Sequence, residues 1–131
     1  MSTARTGRLR IFFDGGCRPN PGRMEIAAVA RGITYKREDI GQGSGEEAEW
    51  LALLHAVRIA VGLGADDVEL VGDSRSVINQ ANGAGKCRDA TLRQHLDAYR
   101  AAIAAIPHVR LRFIPRSKNL AGIVLAKGHP R

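Results

Sequence analysis

A chain of 131 residues, 44% apolar and 25% charged, has the size and balance of one globular domain around a single core. No run approaches the roughly 18 apolar residues of a membrane span, two cysteines are too few for a secreted disulfide framework, and no Cys/His spacing suits zinc. The net charge of +7 and the pI of about 10.2 suit a polyanionic partner, above all nucleic acid, with plain solubility as the competing explanation.

Met1 to Arg8 is polar and basic without an apolar signal core, so residues 1–7 are expected as a flexible tail on one domain spanning 1–131. The protein is accordingly expected in the cytoplasm, with Cys17 and Cys87 as free thiols. Arg8 to Phe13 alternates and is bulky, which predicts a strand running into the turn signals Asp14-Gly15-Gly16 and Pro19-Asn20-Pro21-Gly22. Ile26 to Ala30 predicts a second strand, and Ile33 to Ile40 a third, joined to it by a hairpin through Arg31-Gly32. A glycine-rich break, 41–45, contains Ser44, which with Glu47 forms a capping-box pattern for the helix that follows. Residues 46–61 then carry helical apolar spacing at Ala48, Leu51, Ala52, His55 and Ile59, stopped by Gly62.

Val68 to Val71 predicts a short buried strand. Asp73 or Ser74 opens a helix through Ala81, closed by Asn82-Gly83, and 84–88 is a basic loop. Residues 89–106 predict a long amphipathic helix stopped by Pro107. Val109 to Ile114 predicts the last strand, and 119–127 a short terminal helix. Three strands followed by alternating helices and strands predict an α/β fold: a meander extended by parallel strands through helical crossovers.

Three acids stand where such a sheet collects chemistry. Asp14 and Asp73 each end a predicted strand, and Glu49 lies early in the helix that crosses them. If the first and fourth strands are parallel neighbours, the three carboxylates meet and form a site for hard dications. Each also has a structural reading: Asp14 as a turn former, Asp73 as a helix N-cap, Glu49 as a favourable charge in a first helical turn.

Four segments, taken in order, resemble the ribonuclease H family across about 110 residues. They are Phe13-Asp14-Gly15-Gly16 with Asn20-Pro21-Gly22, Ala48-Glu49-Trp50 with Ala52-Leu53, Val71-Gly72-Asp73-Ser74, and Ile114-Pro115-Arg116 with Asn119. The resemblance implies a ribonuclease H-like fold, a five-stranded mixed sheet in the order 3-2-1-4-5 with strands one to three antiparallel. It implies a monomeric metal-dependent endonuclease cutting the RNA strand of RNA–DNA hybrids. Asp14, Glu49 and Asp73 would be the catalytic ligands of two Mg2+ or Mn2+ ions. Asn20, Arg75, Lys86, Arg88, Arg93 and Arg116 would contact the nucleic acid.

Departures from the family pattern set the open questions. The family's fourth carboxylate aligns with Ile123, and no acid follows Asp97. Asn119, one helical turn earlier, is a candidate substitute ligand, with helix capping as its competing role. Ser44-Gly45-Glu46-Glu47 replaces a run in which asparagines are usual, so Glu46 either opposes phosphate or assists the metal site. Arg23-Met24-Glu25 stands where glycines are common. No histidine follows the last strand in the usual loop, leaving Arg116, Lys118 or the distant His129. The rival reading is a hybrid- or RNA-binding module that kept the fold without catalysis.

Overall fold

The computed structural model describes residues 8–128. The predicted tail 1–7 and His129 lie outside them. In chain order the elements are β1 (Leu9–Arg18), β2 (Gly22–Ala30), β3 (Ile33–Arg37), β4 (Gln42–Gly43), α1 (Gly45–Gly62), β5 (Asp67–Gly72), α2 (Arg75–Ala81), α3 (Ala90–Ile103), β6 (His108–Phe113), a 3-10 turn (Arg116–Lys118) and α4 (Leu120–Lys127). The sheet order is β3-β2-β1-β5-β6, with the two-residue β4 pairing to β2. This is the expected 3-2-1-4-5 sheet: the extra short strand shifts the numbering, so the expected strands four and five are β5 and β6. Strands β1 to β3 are antiparallel, and β5 joins β1, and β6 joins β5, in parallel. No described helix is long and apolar enough to cross a membrane.

The first hairpin differs from expectation. β1 does not stop at Phe13 but pairs with β2 as far as Arg18 opposite Arg23, leaving only residues 19–21 as the turn. The apolar alternation fades after Phe13 because β1 continues there as Asp14-Gly15-Gly16-Cys17-Arg18, which pairs with β2 through its backbone. Glycine is required within it, since a Cβ on Gly15 would lie 2.1 Å from the carbonyl oxygen of Ala48. That close approach lets α1 lie directly on the strand carrying Asp14. The second hairpin turns through Arg31 and Gly32 at φ 53° and 76°, as a two-residue turn with both centres left-handed requires.

Side chains of β1 alternate between two faces. Leu9, Ile11 and Phe13 enter the main core with Trp50, Leu53, Val57, Val68, Leu70 and Leu111. Trp50 is fully buried, its indole N–H satisfied by Gln80 Oε1 at 3.2 Å and its ring edge-on to Tyr99 of α3. On the opposite face, α4 sets Ala121 and Leu125 against Ala27 and Val29 of β2, with Phe12 beside them. α3 ends at Ile103 rather than at 106, in keeping with the bias of a residue preceding proline against helical backbone.

Candidate active site

The parallel pairing of β1 with β5 sets Phe12 opposite Val71. Two residues further on, the same register brings Asp14, within β1, beside Asp73, which follows β5. Glu49 descends on them from the start of α1. One carboxylate oxygen from each of the three lies within 4.8 Å of the others. Asp14 is 3% exposed and Glu49 8%.

None of the three acids takes the structural role its sequence position offered. Asp14 lies inside a paired strand, not in a turn. Ser74, not Asp73, caps α2, its hydroxyl accepting from the Val77 amide at 3.3 Å. Glu49 is turned inward, where its Oε1 accepts from the Gly15 amide at 3.2 Å. Ser44 caps α1 by accepting from the Glu47 amide at 3.0 Å, but the Glu47 carboxylate reaches His95 of α3, also at 3.0 Å, instead of turning back as the capping-box pattern predicts.

Electrostatically the cluster is unbalanced. Burial, and then repulsion from Asp14 and Asp73, pushes the Glu49 carboxyl up to about 9. Burial and the Asp73 charge raise Asp14 to about 6. Asp14 Oδ1 is buried without a hydrogen-bond partner among the described residues. Such an orphaned oxygen, beside two more carboxylates, is what a bound dication would satisfy. The residues present therefore fit a metal ion bound through oxygen.

Two further groups close the site. Arg116 Nη2 lies 3.3 Å from Asp73 Oδ1, its side chain otherwise in solvent. Asn119 is fully buried. Its Nδ2 donates to the Phe13 carbonyl at 3.0 Å and to Asp73 Oδ2 at 2.9 Å, while its Oδ1 accepts from the Ala121 amide at 3.1 Å and caps α4. All three partners agree on this amide orientation. The candidate role of Asn119 as an oxygen ligand is thereby corrected: its oxygen is spent on the helix, and it offers the acids a donor. It is a buried tie between the end of β1, Asp73 and α4. Gly122 is the α4 residue against the cluster, since a Cβ there would sit 3.3 Å from Asp14 Oδ2 and 3.7 Å from Asp73 Oδ2. Ile123, next along, is 41% exposed.

Glu46 neither joins the acids nor stands free. Its Oε2 accepts from Ser76 Oγ at 2.6 Å and Gln80 Nε2 at 3.4 Å, binding α1 to α2. The other sequence candidates lie apart from the cluster. Asn20 Oδ1 accepts from the Gly45 amide at 3.1 Å, tying the first hairpin turn to the start of α1. Arg75 stacks on Phe113, its guanidinium carbon 3.8 Å from the ring centre. Arg93 donates through Nε and Nη2 to the Cys87 carbonyl and so holds the basic loop in shape, while Lys86 and Arg88 are exposed on it. Beside that loop a depression of about 250 Å³ is lined by Arg93, Asp97 and Arg100 among others. A wider one, of about 560 Å³, lies at the first hairpin turn and includes none of the three acids. His55 faces the Tyr35 carbonyl, not the site.

Comparison with known proteins agrees with this topology. The family model described as reverse transcriptase-like matches residues 12–129. A protein named ribonuclease HI from Halobacterium salinarum is 34% identical over 93% of the chain, and the chain spans 64% of that relative's length. The crystal structure of RNase H1 from the same archaeon superposes with a TM-score of 0.85 at 30% identity, covering 91% of this chain and 94% of that one. LC11-RNase H1, solved in complex with an RNA/DNA hybrid, superposes with a TM-score of 0.76 at 28% identity, covering 86% and 88% of the two chains. With its sheet order, its acid triad and these matches, the chain belongs to the ribonuclease H-like family that the reverse transcriptase-like model describes.

Proposed function

We propose that the protein is a metal-dependent endonuclease that hydrolyses the RNA strand of RNA–DNA hybrids. The observation that carries this reading is the clustered triad Asp14, Glu49 and Asp73, in which Asp14 Oδ1 is buried without a hydrogen-bond partner, in a chain similar to ribonuclease HI and to a hybrid-bound RNase H1. These three residues would hold Mg2+ or Mn2+. A pair of such ions supplies an activated water and charge stabilisation at the departing oxygen of a phosphodiester. The chain's own part is positional. Asn119 fixes the Asp73 carboxylate, the Gly15 amide fixes Glu49, and Arg116 brings a positive charge to the edge where phosphate would arrive. The shape of the hybrid and its 2′-hydroxyls would select the strand. A monomer in the cytoplasm completes the reading, consistent with the two free thiols. The test is incubation of the protein with labelled RNA–DNA hybrid, duplex DNA and duplex RNA, each with magnesium or manganese. Cleavage confined to the RNA of the hybrid supports the reading, and none with either metal refutes it.

The exposed Ile123 at the place of the family's fourth acid favours a second reading, a hybrid- or RNA-binding module. Clustered buried acids argue against it, since they repel phosphate and add nothing to binding without metal.

The basic loop offers a separate check. Lys86→Ala or Arg88→Ala should weaken hybrid binding and lower the slope of log affinity against log salt by roughly one unit each, if each contacts a phosphate. Titrations at several salt concentrations measure this. Arg93→Ala is a poorer probe, because removing its bonds to the Cys87 carbonyl also loosens the loop.

A further inference from the structure

The strand alternation that places Asp14 and Asp73 on one face of the sheet places other residues there too. Along β1 these are Arg10 and Phe12, along β5 Glu69 and Val71, and on β6 Arg112. α4 covers this face over β1 and β2, where its buried residues meet Ala27 and Val29. Beyond it lies an open trough of about 310 Å³ lined by Arg10, Phe12, Val71, Arg112, Ile114 and Lys118, among others.

Two of the arginines that line the trough are fixed by a buried acid rather than merely solvated. Glu69 is 4% exposed and holds two arginines at once, Arg10 Nε on Oε1 at 2.8 Å and Arg112 Nε on Oε2 at 2.7 Å. Each guanidinium uses only its Nε on Glu69, and its Nη groups make no further hydrogen bond among the described residues. Both side chains are about half exposed. A buried carboxylate that holds two arginines by their Nε atoms leaves their remaining N–H groups available to a second anion such as phosphate. With Lys118 three cations line the trough, and the buried Glu69 is the acid that holds two of them. Between them the half-buried Phe12 offers an aromatic surface.

The trough also adjoins the acid triad. Phe12 and Val71 are each two residues from a site aspartate on the same face, and Lys118 shares the 3-10 turn of Arg116. We propose that this face is a second nucleic-acid contact, a track for the phosphodiester backbone of an unpaired strand that continues past the hybrid at the acid triad. The inference rests on the hybrid reading above. Charge complementarity selects a polyanion, and an aromatic floor suits an unpaired base, whose face is open for stacking, rather than a paired one.

The experiment is equilibrium binding in EDTA, which prevents cleavage, of a short blunt RNA–DNA hybrid and of the same hybrid with a single-stranded extension at each end in turn. One variant combines Arg10→Met, Glu69→Gln and Arg112→Met, removing the cations without leaving a lone buried charge. A second, Lys118→Ala, changes only the surface and decides the matter alone if the first fails to fold. In wild type one extension should tighten binding by about five- to tenfold at low salt, an advantage that fades as salt rises. Both variants should bind the blunt hybrid as wild type does, the triple variant losing the whole advantage and Lys118→Ala part of it. Equal wild-type affinity for blunt and extended hybrids overturns the inference while leaving the hybrid reading intact. Absence of both binding and cleavage of the blunt hybrid overturns the reading beneath it. An acidic, apolar peptide that binds wild type but not the triple variant, where the extension adds nothing, overturns the inference in favour of a protein partner.

Discussion

Asp14→Asn, Asp73→Asn and Glu49→Gln should each abolish cleavage, by a hundredfold or more on the order of losses seen when a major electrostatic group is removed, while leaving the metal-free protein folded and, for Asp14→Asn and Glu49→Gln, more stable. The activity loss follows from removing one of three oxygen ligands from a cluster whose atoms lie within 4.8 Å. The stability gain follows from the raised carboxyls. Glu49 holds its proton up to about 9 in the folded protein against an ordinary value of 4.5. Between those limits the folded state binds more protons than the unfolded one, so stability falls as pH rises through the window. Asp14 adds a smaller contribution of the same sign between 3.8 and about 6. Metal-free wild type should therefore lose stability from about pH 5 to pH 9, and Glu49→Gln should flatten that profile and raise Tm by several degrees at pH 8. Added magnesium or manganese should raise the Tm of wild type at pH 8 and do so far less in the three variants. Calorimetry across pH, with and without metal, measures all of this. A wild-type cleavage rate in Asp14→Asn or Asp73→Asn with excess metal would sink the site assignment.

Ile123→Asp should increase cleavage in magnesium by tenfold or more, about 1.4 kcal/mol of transition-state stabilisation, whereas Asn119→Asp should remove activity and destabilise the fold. Three carboxylates face the proposed dications, and the Arg116 guanidinium 3.3 Å from Asp73 offsets part of their charge. The wild type is expected to work better with manganese, which generally binds a given site more tightly than magnesium and tolerates irregular geometry. A fourth carboxylate on α4, next to the Gly122 that abuts Asp14 and Asp73, would narrow that difference. Asn119 cannot supply it. A carboxylate there would face the Phe13 carbonyl and the Asp73 carboxylate at about the 3 Å of the present bonds, replacing two donated hydrogen bonds with repulsion in a fully buried position. The loss should be about 2–4 kcal/mol. Cleavage rates in each metal, together with Tm, separate the two variants. If Ile123→Asp gains nothing and wild type is inert in manganese, the binding-module reading takes over.

Much of this architecture was legible in the chain. Turn residues and apolar periods located every long strand and helix, because those signals are local: Arg31-Gly32 suits a left-handed turn, Gly62 ends α1, and β1 alternates until Phe13. The resemblance carried by the ordered motifs implied the sheet order, and the placement of Asp14 and Asp73 at strand ends with Glu49 early in the crossing helix pointed to the triad. The extent of the first hairpin was hidden, since the outer half of β1 is polar and glycine-rich and pairs through its backbone. So were the short β4 and the early end of α3.

What only the tertiary structure decided is which of two roles each polar side chain takes. Asp73 and Ser74 are both good caps in sequence, and packing gave the cap to Ser74 and left the acid to the site. Asn119 could have turned oxygen or nitrogen to the acids, and the α4 amide together with the Phe13 carbonyl fixed the nitrogen there. Glu46 reached α2 and Glu47 reached His95, so neither serves the triad. Glu69 gave no sign in the sequence that it would gather Arg10 from 59 residues away and Arg112 from 43. A hydrogen bond is set by where its partner comes to lie, and when that partner is far along the chain the periodicity of either segment carries no record of it.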